Sequence, residues 1–149
     1  MSGYGFGIWL VPKDRNIQKR ILHTPHITIM CNMETEEYAK KLFDKIKTEM
    51  GDEFTLKING KCYMFQGGYQ SSDPLLACGY FCESENWSQF ETICNNFYGD
   101  FSENPHMSHS YSLFIENLRL INIKDKEVEC KLHLVDINGL HPTKWKIIE

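Results

Sequence analysis

The sequence lacks a long apolar run, since no stretch approaches the roughly 20 residues that a membrane-spanning helix needs. It also lacks an excess of positive charge, with 16 Lys and Arg against 20 Asp and Glu and a formal net charge of −4. Proteins that coat long nucleic acid are normally basic, so we do not expect such a partner. A small anionic ligand stays compatible with this composition, because a few placed donors can hold one phosphate at any net charge.

The first residues lack the basic flank that precedes the apolar part of a signal peptide. We therefore expect a cytoplasmic protein whose six cysteines stay reduced and pack as small apolar side chains. Cys78 and Cys82 stand four residues apart, but no second close pair completes a four-thiolate zinc site. We expect a monomer that needs no cofactor and has no membrane partner.

What the sequence does contain is an alternation of strand-like and helical segments, in a chain of 149 residues that is long enough for one ordinary core. The predicted strands cover 4–11, 26–31, 53–65, 75–82, 106–114, 127–137 and 144–148, and the predicted helices cover 36–50 and about 87–97. This order predicts one α+β domain over 1–149, with largely antiparallel sheets and a cleft between two similar lobes.

Two of the six histidines stand in a repeated motif. Pro25-His26-Ile27-Thr28 and Pro105-His106-Met107-Ser108 both read proline, histidine, apolar residue, hydroxyl residue, each at the start of a predicted strand. Residues i and i+2 of a strand point to one face, so each histidine shares a face with its hydroxyl residue. If the two faces meet, two imidazoles and two hydroxyls surround one point.

Such a set of groups suits the hydrolysis of a phosphodiester. An imidazole with its ordinary pKa of about 6.5 can remove or donate a proton at neutral pH. Two are needed because the two proton transfers take place on opposite sides of phosphorus. The hydroxyls can donate to the non-bridging oxygens, where negative charge gathers in the transition state. This chemistry requires no metal.

The doubled histidine-x-threonine/serine pattern resembles that of the two-histidine (2H) phosphoesterase superfamily. The run Pro105–Tyr111 is similar to the Pro-His-x-Ser-x-x-Tyr pattern of its 2′,3′-cyclic nucleotide phosphodiesterase branch. The segments 7–12 and 145–148 also resemble the first and last strands of that branch. The resemblance implies a bilobal, pseudo-two-fold α+β fold, with two antiparallel sheets, helices outside and the active-site cleft between the lobes.

The resemblance also implies roles for the motif residues. His26 and His106 are then the acid–base pair, with the assignment of acid and base left open, and Thr28 and Ser108 hold the phosphate. Tyr111 matches the family tyrosine and is a candidate to contact the substrate. Strand alternation points it away from the motif face, so it reaches the site only if the strand bends or ends near it.

Aromatic side chains near the predicted cleft are candidates to stack on a nucleotide base. Trp9, on the first predicted strand, and Tyr69, in a glycine-rich loop, join Tyr111 as the residues that we assign to substrate binding.

The function implied is a metal-independent phosphodiesterase that opens a 2′,3′-cyclic phosphate, or ADP-ribose cyclic phosphate, to a phosphomonoester. The substrate is a small nucleotide or a short oligonucleotide, and cleavage of 2′,5′-linked or cyclic oligonucleotide signals is the alternative. A non-catalytic, histidine-rich metal- or nucleotide-binding domain is a second alternative, because His23 and His109 each lie three residues from a motif histidine. That spacing in a strand puts two rings on opposite faces, which argues against a shared metal and makes both residues bystanders.

Overall fold

A computed structural model describes residues 5–66, 76–123, 126–139 and 142–149. Within these ranges the strands are β1 (Phe6–Pro12), β2 (Ile27–Met33), β3 (Glu53–Gln66), β4 (Leu76–Glu83), β5 (Asp100–Phe101), β6 (His106–Ser112), β7 (Glu127–Asp136) and β8 (Lys146–Ile147). The helices are α1 (Arg15–Arg20), α2 (Glu36–Met50) and α3 (Trp87–Cys94), and single 3₁₀ turns cover Ile115–Asn117 and Pro142–Lys144. The predicted strand and helix segments are confirmed, and the two-residue β5 is an addition. Helix α1 lies in the polar, basic segment between the first two predicted strands.

Local chemistry accounts for the longest helix, α2. The Thr35 side chain accepts a hydrogen bond from the Tyr38 backbone N–H and so caps the first turn, which also carries Glu36 and Glu37. Gly51 ends the helix with a φ of 92°, a conformation that glycine adopts without strain. The face between these ends buries the side chains of Ala39, Leu42, Phe43 and Ile46. None of the helices in the described ranges is long and apolar enough to cross a membrane.

The described strands form one sheet in the order β1-β2-β6-β4-β3-β7-β8, with β5 beside β2 and every pairing antiparallel. A further pairing of β1 with β7 makes the path from β1 through β2, β6, β4, β3 and β7 return to β1. The α+β class with antiparallel pairing is therefore confirmed. Two separate sheets were predicted. In the structure the pairing of Ile27 with Met107 joins β2 to β6, so the described strands form a single sheet.

Strand β1 separates two groups of buried side chains. Ile8 and Leu10 point into the main core, to which α2 and α3 also contribute. Trp9 and Val11 alternate to the opposite face and pack in a smaller cluster that includes Val135. This second face carries both histidine motifs.

The six cysteines are free thiols. Burial raises the pKa of Cys31, Cys82, Cys94 and Cys130 to about 12, so these thiols stay protonated at neutral pH. They behave as packing residues, as predicted, whereas Cys62 is exposed.

Candidate active site

The two motif histidines make the same backbone contact. The Nδ1–H of His26 donates to the carbonyl oxygen of Thr24 at 2.8 Å, and the Nδ1–H of His106 donates to that of Asn104 at 2.8 Å. Each acceptor belongs to the residue just before the motif proline. Because a carbonyl can only accept, both rings carry their proton on Nδ1 in the neutral form, and Nε2 holds the lone pair.

The sheet brings the two motifs side by side. Ile27 pairs with Met107 across the antiparallel joint between β2 and β6. This register, continued by one residue on each side, brings His26 toward Ser108 and Thr28 toward His106. A positive charge on His106 would oppose protonation of His26, though less than burial and the charge of His23 do.

His26 occupies a dry aromatic setting. Its ring is 6% exposed and stacks on Trp9, with centroids 3.6 Å apart and planes 7° from parallel. Trp145 and His23 approach it edgewise, each with its ring centroid 5.9 Å away. Burial, together with the charge of His23, lowers the pKa of His26 to about 3. His26 is therefore neutral at pH 7.

The structure corrects one of the two predicted base-stacking residues. Trp9 is 1% exposed, and its ring face is covered by His26, so it supports the imidazole rather than presenting a surface to a ligand. Tyr69, the other candidate, lies outside the described residues.

His106 lies in a more open position than His26 and is only half-buried. The ring of Tyr63 meets it edgewise with centroids 5.1 Å apart, and that of Phe81 does so at 6.4 Å. Burial lowers the pKa of His106, and the hydrogen bond to the Asn104 carbonyl acts in the opposite direction.

Ser108 is the centre of a polar network on the same face. The Tyr63 hydroxyl and the Ser108 hydroxyl lie 2.6 Å apart, although these residues stand on strands separated by β4. The residue between them on β4 is Gly79, which pairs with both. A Cβ at Gly79 would lie 2.7 Å from the Tyr63 hydroxyl oxygen and 2.0 Å from the Met107 carbonyl oxygen. The missing side chain therefore lets Tyr63 reach Ser108.

Tyr111 reaches this network because β6 carries a bulge. Cys78 pairs with Ser110 and the next residue of β4 pairs with Ser108, which leaves His109 as an extra residue. The extra residue reverses the alternation, so Tyr111 shares the face of Ser108. Its ring lies 4.9 Å from that of His23. Burial raises the pKa of Tyr111, and the neighbouring Ser108 side chain acts in the opposite direction. This is the bend that the sequence required for Tyr111 to take part.

Thr28 is partly exposed and pairs with Trp9 on the neighbouring β1. Residues directly opposite in an antiparallel pair share a face, so Thr28 lies on the face of Trp9 and of the His26 ring. The register thus puts both motif hydroxyls, Thr28 and Ser108, on the same face of the sheet as the two imidazoles.

The two histidines predicted to be bystanders differ from each other. His23 is buried inside the site, between the rings of His26 and Tyr111, and its Nε2–H donates to the Ser108 carbonyl at 3.0 Å. The prediction that His23 lies apart from the site is therefore wrong. Residues 21–25 do not form a strand, so strand alternation does not fix the direction of His23. His109 lies away from His106 as predicted, with its ring 5.1 Å from that of Tyr80 in the main core.

Sequence reasoning missed Tyr63, His23 and Trp145 as parts of the site. Tyr63 carries no motif of its own, and only its place opposite Gly79 in the sheet brings it to Ser108. Trp145 follows a 3₁₀ turn near the chain end, and its ring lies 6.0 Å from that of Trp9 and 6.5 Å from that of Tyr111. A tryptophan in the predicted last strand was the only available signal.

In the part of the chain that the structure describes, no group of three or more His, Cys, Asp or Glu side chains is arranged to hold a metal ion. Comparison with protein-family models gives no match, and comparison with curated proteins gives none either.

Proposed function

We propose that this protein is a two-histidine phosphodiesterase that opens a 2′,3′-cyclic phosphate, or ADP-ribose cyclic phosphate, to a phosphomonoester. The proposal includes the bilobal, pseudo-two-fold fold of that superfamily. It gives catalysis to His26 and His106, and phosphate binding to Thr28 and Ser108.

One observation carries the proposal: the matched hydrogen bonds that fix both motif histidines in the same tautomer. A catalytic imidazole must present a defined nitrogen, and a bond from the other nitrogen to a carbonyl supplies that definition. Here the same bond occurs twice, at 2.8 Å, on two adjoining strands. A metal-binding domain would need a third ligand beside these rings, and the described residues offer no such group.

In this reaction water attacks phosphorus and the bond to one ring oxygen of the cyclic phosphate breaks. We assign the general base to His26, the more buried of the two imidazoles, because its Nδ1–H is fixed on the Thr24 carbonyl and its Nε2 lone pair is left to accept a proton. It takes the proton from water. His106 serves as the general acid and gives a proton to the leaving oxygen. An anionic phosphate favours the protonated form of a nearby imidazole, and His106 is more open than His26. Substrate binding therefore favours protonation of His106 over protonation of His26.

The Ser108 network supports the phosphate-binding role. A hydroxyl has one donor and two acceptor lone pairs. When Tyr63 donates to the Ser108 oxygen, the Ser108 O–H is left to donate to a non-bridging phosphate oxygen. Such a donor stabilises the charge that develops in the transition state.

The experiment is a substrate panel in the presence of a chelator: 2′,3′-cyclic mononucleotides, ADP-ribose cyclic phosphate, 2′,5′-linked oligoadenylate and cyclic dinucleotides. We expect turnover of at least one of the first two, unchanged by the chelator. Turnover of only the last two would move the substrate to oligonucleotide signals with the same histidine chemistry. No turnover of any, or a loss that added metal restores, would contradict the proposal.

A further inference from the structure

A cavity of about 390 Å³ lies next to the candidate active site. The two sites share a wall, because His23 and Tyr111 line the cavity and the His23 ring lies against the rings of His26 and Tyr111. The cavity therefore borders the candidate active site on the side of His23 and Tyr111.

The lining of this cavity is cationic. Arg20 at the end of α1 and Arg119 after the 3₁₀ turn both contribute to it, and none of the described lining residues is acidic. Ser110, Ser112, Thr143 and Asn117 add hydroxyl and amide donors. Arginine together with neutral donors is the combination that proteins use to bind phosphate.

His109 supplies an independent sign of a missing acceptor. It is 4% exposed, and its Nδ1 accepts a hydrogen bond from the Ile121 backbone N–H at 3.1 Å. Burial, with the nearby charges of His23 and Arg20, lowers the pKa of His109 to about 4, so the ring is neutral and its proton sits on Nε2. This buried Nε2–H finds no acceptor among the described residues.

An unsatisfied buried donor is costly, and His109, which carries this donor, is one of the residues that line the cavity. We propose that this cavity binds a second phosphate group of the substrate, separate from the cyclic phosphate that is cleaved. The inference rests on the proposed function and narrows it to nucleotides that carry an additional phosphate, such as a 5′-phosphate.

The kinetic test compares adenosine 2′,3′-cyclic phosphate with and without a 5′-phosphate. We expect the 5′-phosphorylated form to show a KM about tenfold lower, in line with one or two charge-assisted hydrogen bonds. Arg20→Gln and Arg119→Gln should each reduce this ratio to about threefold or less. Arg15→Gln removes the same charge from the same helix outside the cavity lining, and should keep the full ratio. Equal KM values in the unsubstituted protein, or a full ratio in both cavity variants, would overturn the proposal.

A binding test separates this proposal from the proposed hydrolysis. Trp9 and Trp145 report on the site, so tryptophan fluorescence can follow adenosine 3′,5′-bisphosphate and adenosine 3′-monophosphate without turnover. We expect about tenfold tighter binding of the bisphosphate, lost in Arg20→Gln. This preference without any hydrolysis would support the cavity and reject the phosphodiesterase. Hydrolysis without the preference would do the reverse. Competition by inorganic phosphate with no bisphosphate preference would assign the cavity to a free anion and overturn the proposal.

Discussion

The two Pro-His segments have the same sequence pattern and the same Nδ1 anchor, yet they lie in different surroundings. His26 is enclosed by the indole of Trp9 beneath it and by Trp145 and His23 at its edges. His106 is more open, and its strand leads to the hydrogen-bond network of Ser108. We call the apolar surroundings of His26 the dry half of the site, and the surroundings of His106 and Ser108 the polar half.

This difference shows how a repeated motif can serve two unequal tasks. A base must stay unprotonated, which burial against aromatic rings favours. An acid and its phosphate donors must accommodate charge, which an open ring and a hydroxyl network favour. The repeat fixes the reacting nitrogens, and the neighbouring strands make the two halves different.

The largest expected effect comes from substitutions that remove either imidazole. His26→Ala and His106→Ala should each lower kcat on a 2′,3′-cyclic nucleotide by about 100-fold or more, because each removes one proton transfer. His133→Ala is the comparison variant: its ring bonds the Glu149 carbonyl and its strand position is opposite Trp9, so it should lower kcat far less than the loss of a motif imidazole. Circular dichroism checks that each variant folds. Near-normal turnover in one of the two motif variants would end the idea of a pair.

A second substitution acts on the polar half alone. Gly79→Ala places a carbon 2.0 Å from the Met107 carbonyl oxygen and 2.7 Å from the Tyr63 hydroxyl, so β4 and β6 must separate. We expect a loss of about 2 kcal/mol or more in the free energy of unfolding in urea, with a fall in kcat/KM. Gly51→Ala is the milder comparison, at about 1 kcal/mol, because only its positive φ opposes the change. Equal stability of the two variants would contradict the close approach.

The sequence was sufficient for the parts that depend on local pattern. Alternation predicted β2 and β6, the Thr35 cap predicted α2, and the two motifs predicted which histidines share a face. The sequence was not sufficient where a contact depends on the register between neighbouring strands. The bulge at His109 is specified by the register of β4 against β6, which no local pattern in β6 encodes. Tyr63 likewise depends on a pairing across β4.

Tyr63→Phe is a finer probe of the polar half. It removes the hydroxyl 2.6 Å from Ser108 and leaves the ring against His106. We expect about a tenfold loss in kcat/KM and about 1 kcal/mol in stability, since one hydrogen bond is lost and Ser108 is less well oriented. Tyr98→Phe, at a side chain that is 88% exposed, should change neither. A Tyr63→Phe enzyme with unaltered kcat/KM would show that Ser108 needs no orientation.

The last prediction concerns the dry half and is measured in the dependence of the free energy of unfolding on pH rather than in activity. The pKa of His26 in the folded protein is about 3, below the ordinary value of about 6.5, so between these values the unfolded chain binds a proton that the folded protein does not. The stabilisation is complete above pH ~6.5 and is lost as pH falls, at about 1.4 kcal/mol per pH unit. His26→Gln should flatten this slope between about pH 6 and pH 4. His106→Gln should flatten it less, because its ring is only half-buried. Equal slopes for the two variants in urea titrations would mean that the two imidazoles lie in equivalent surroundings, against the contrast between the two halves.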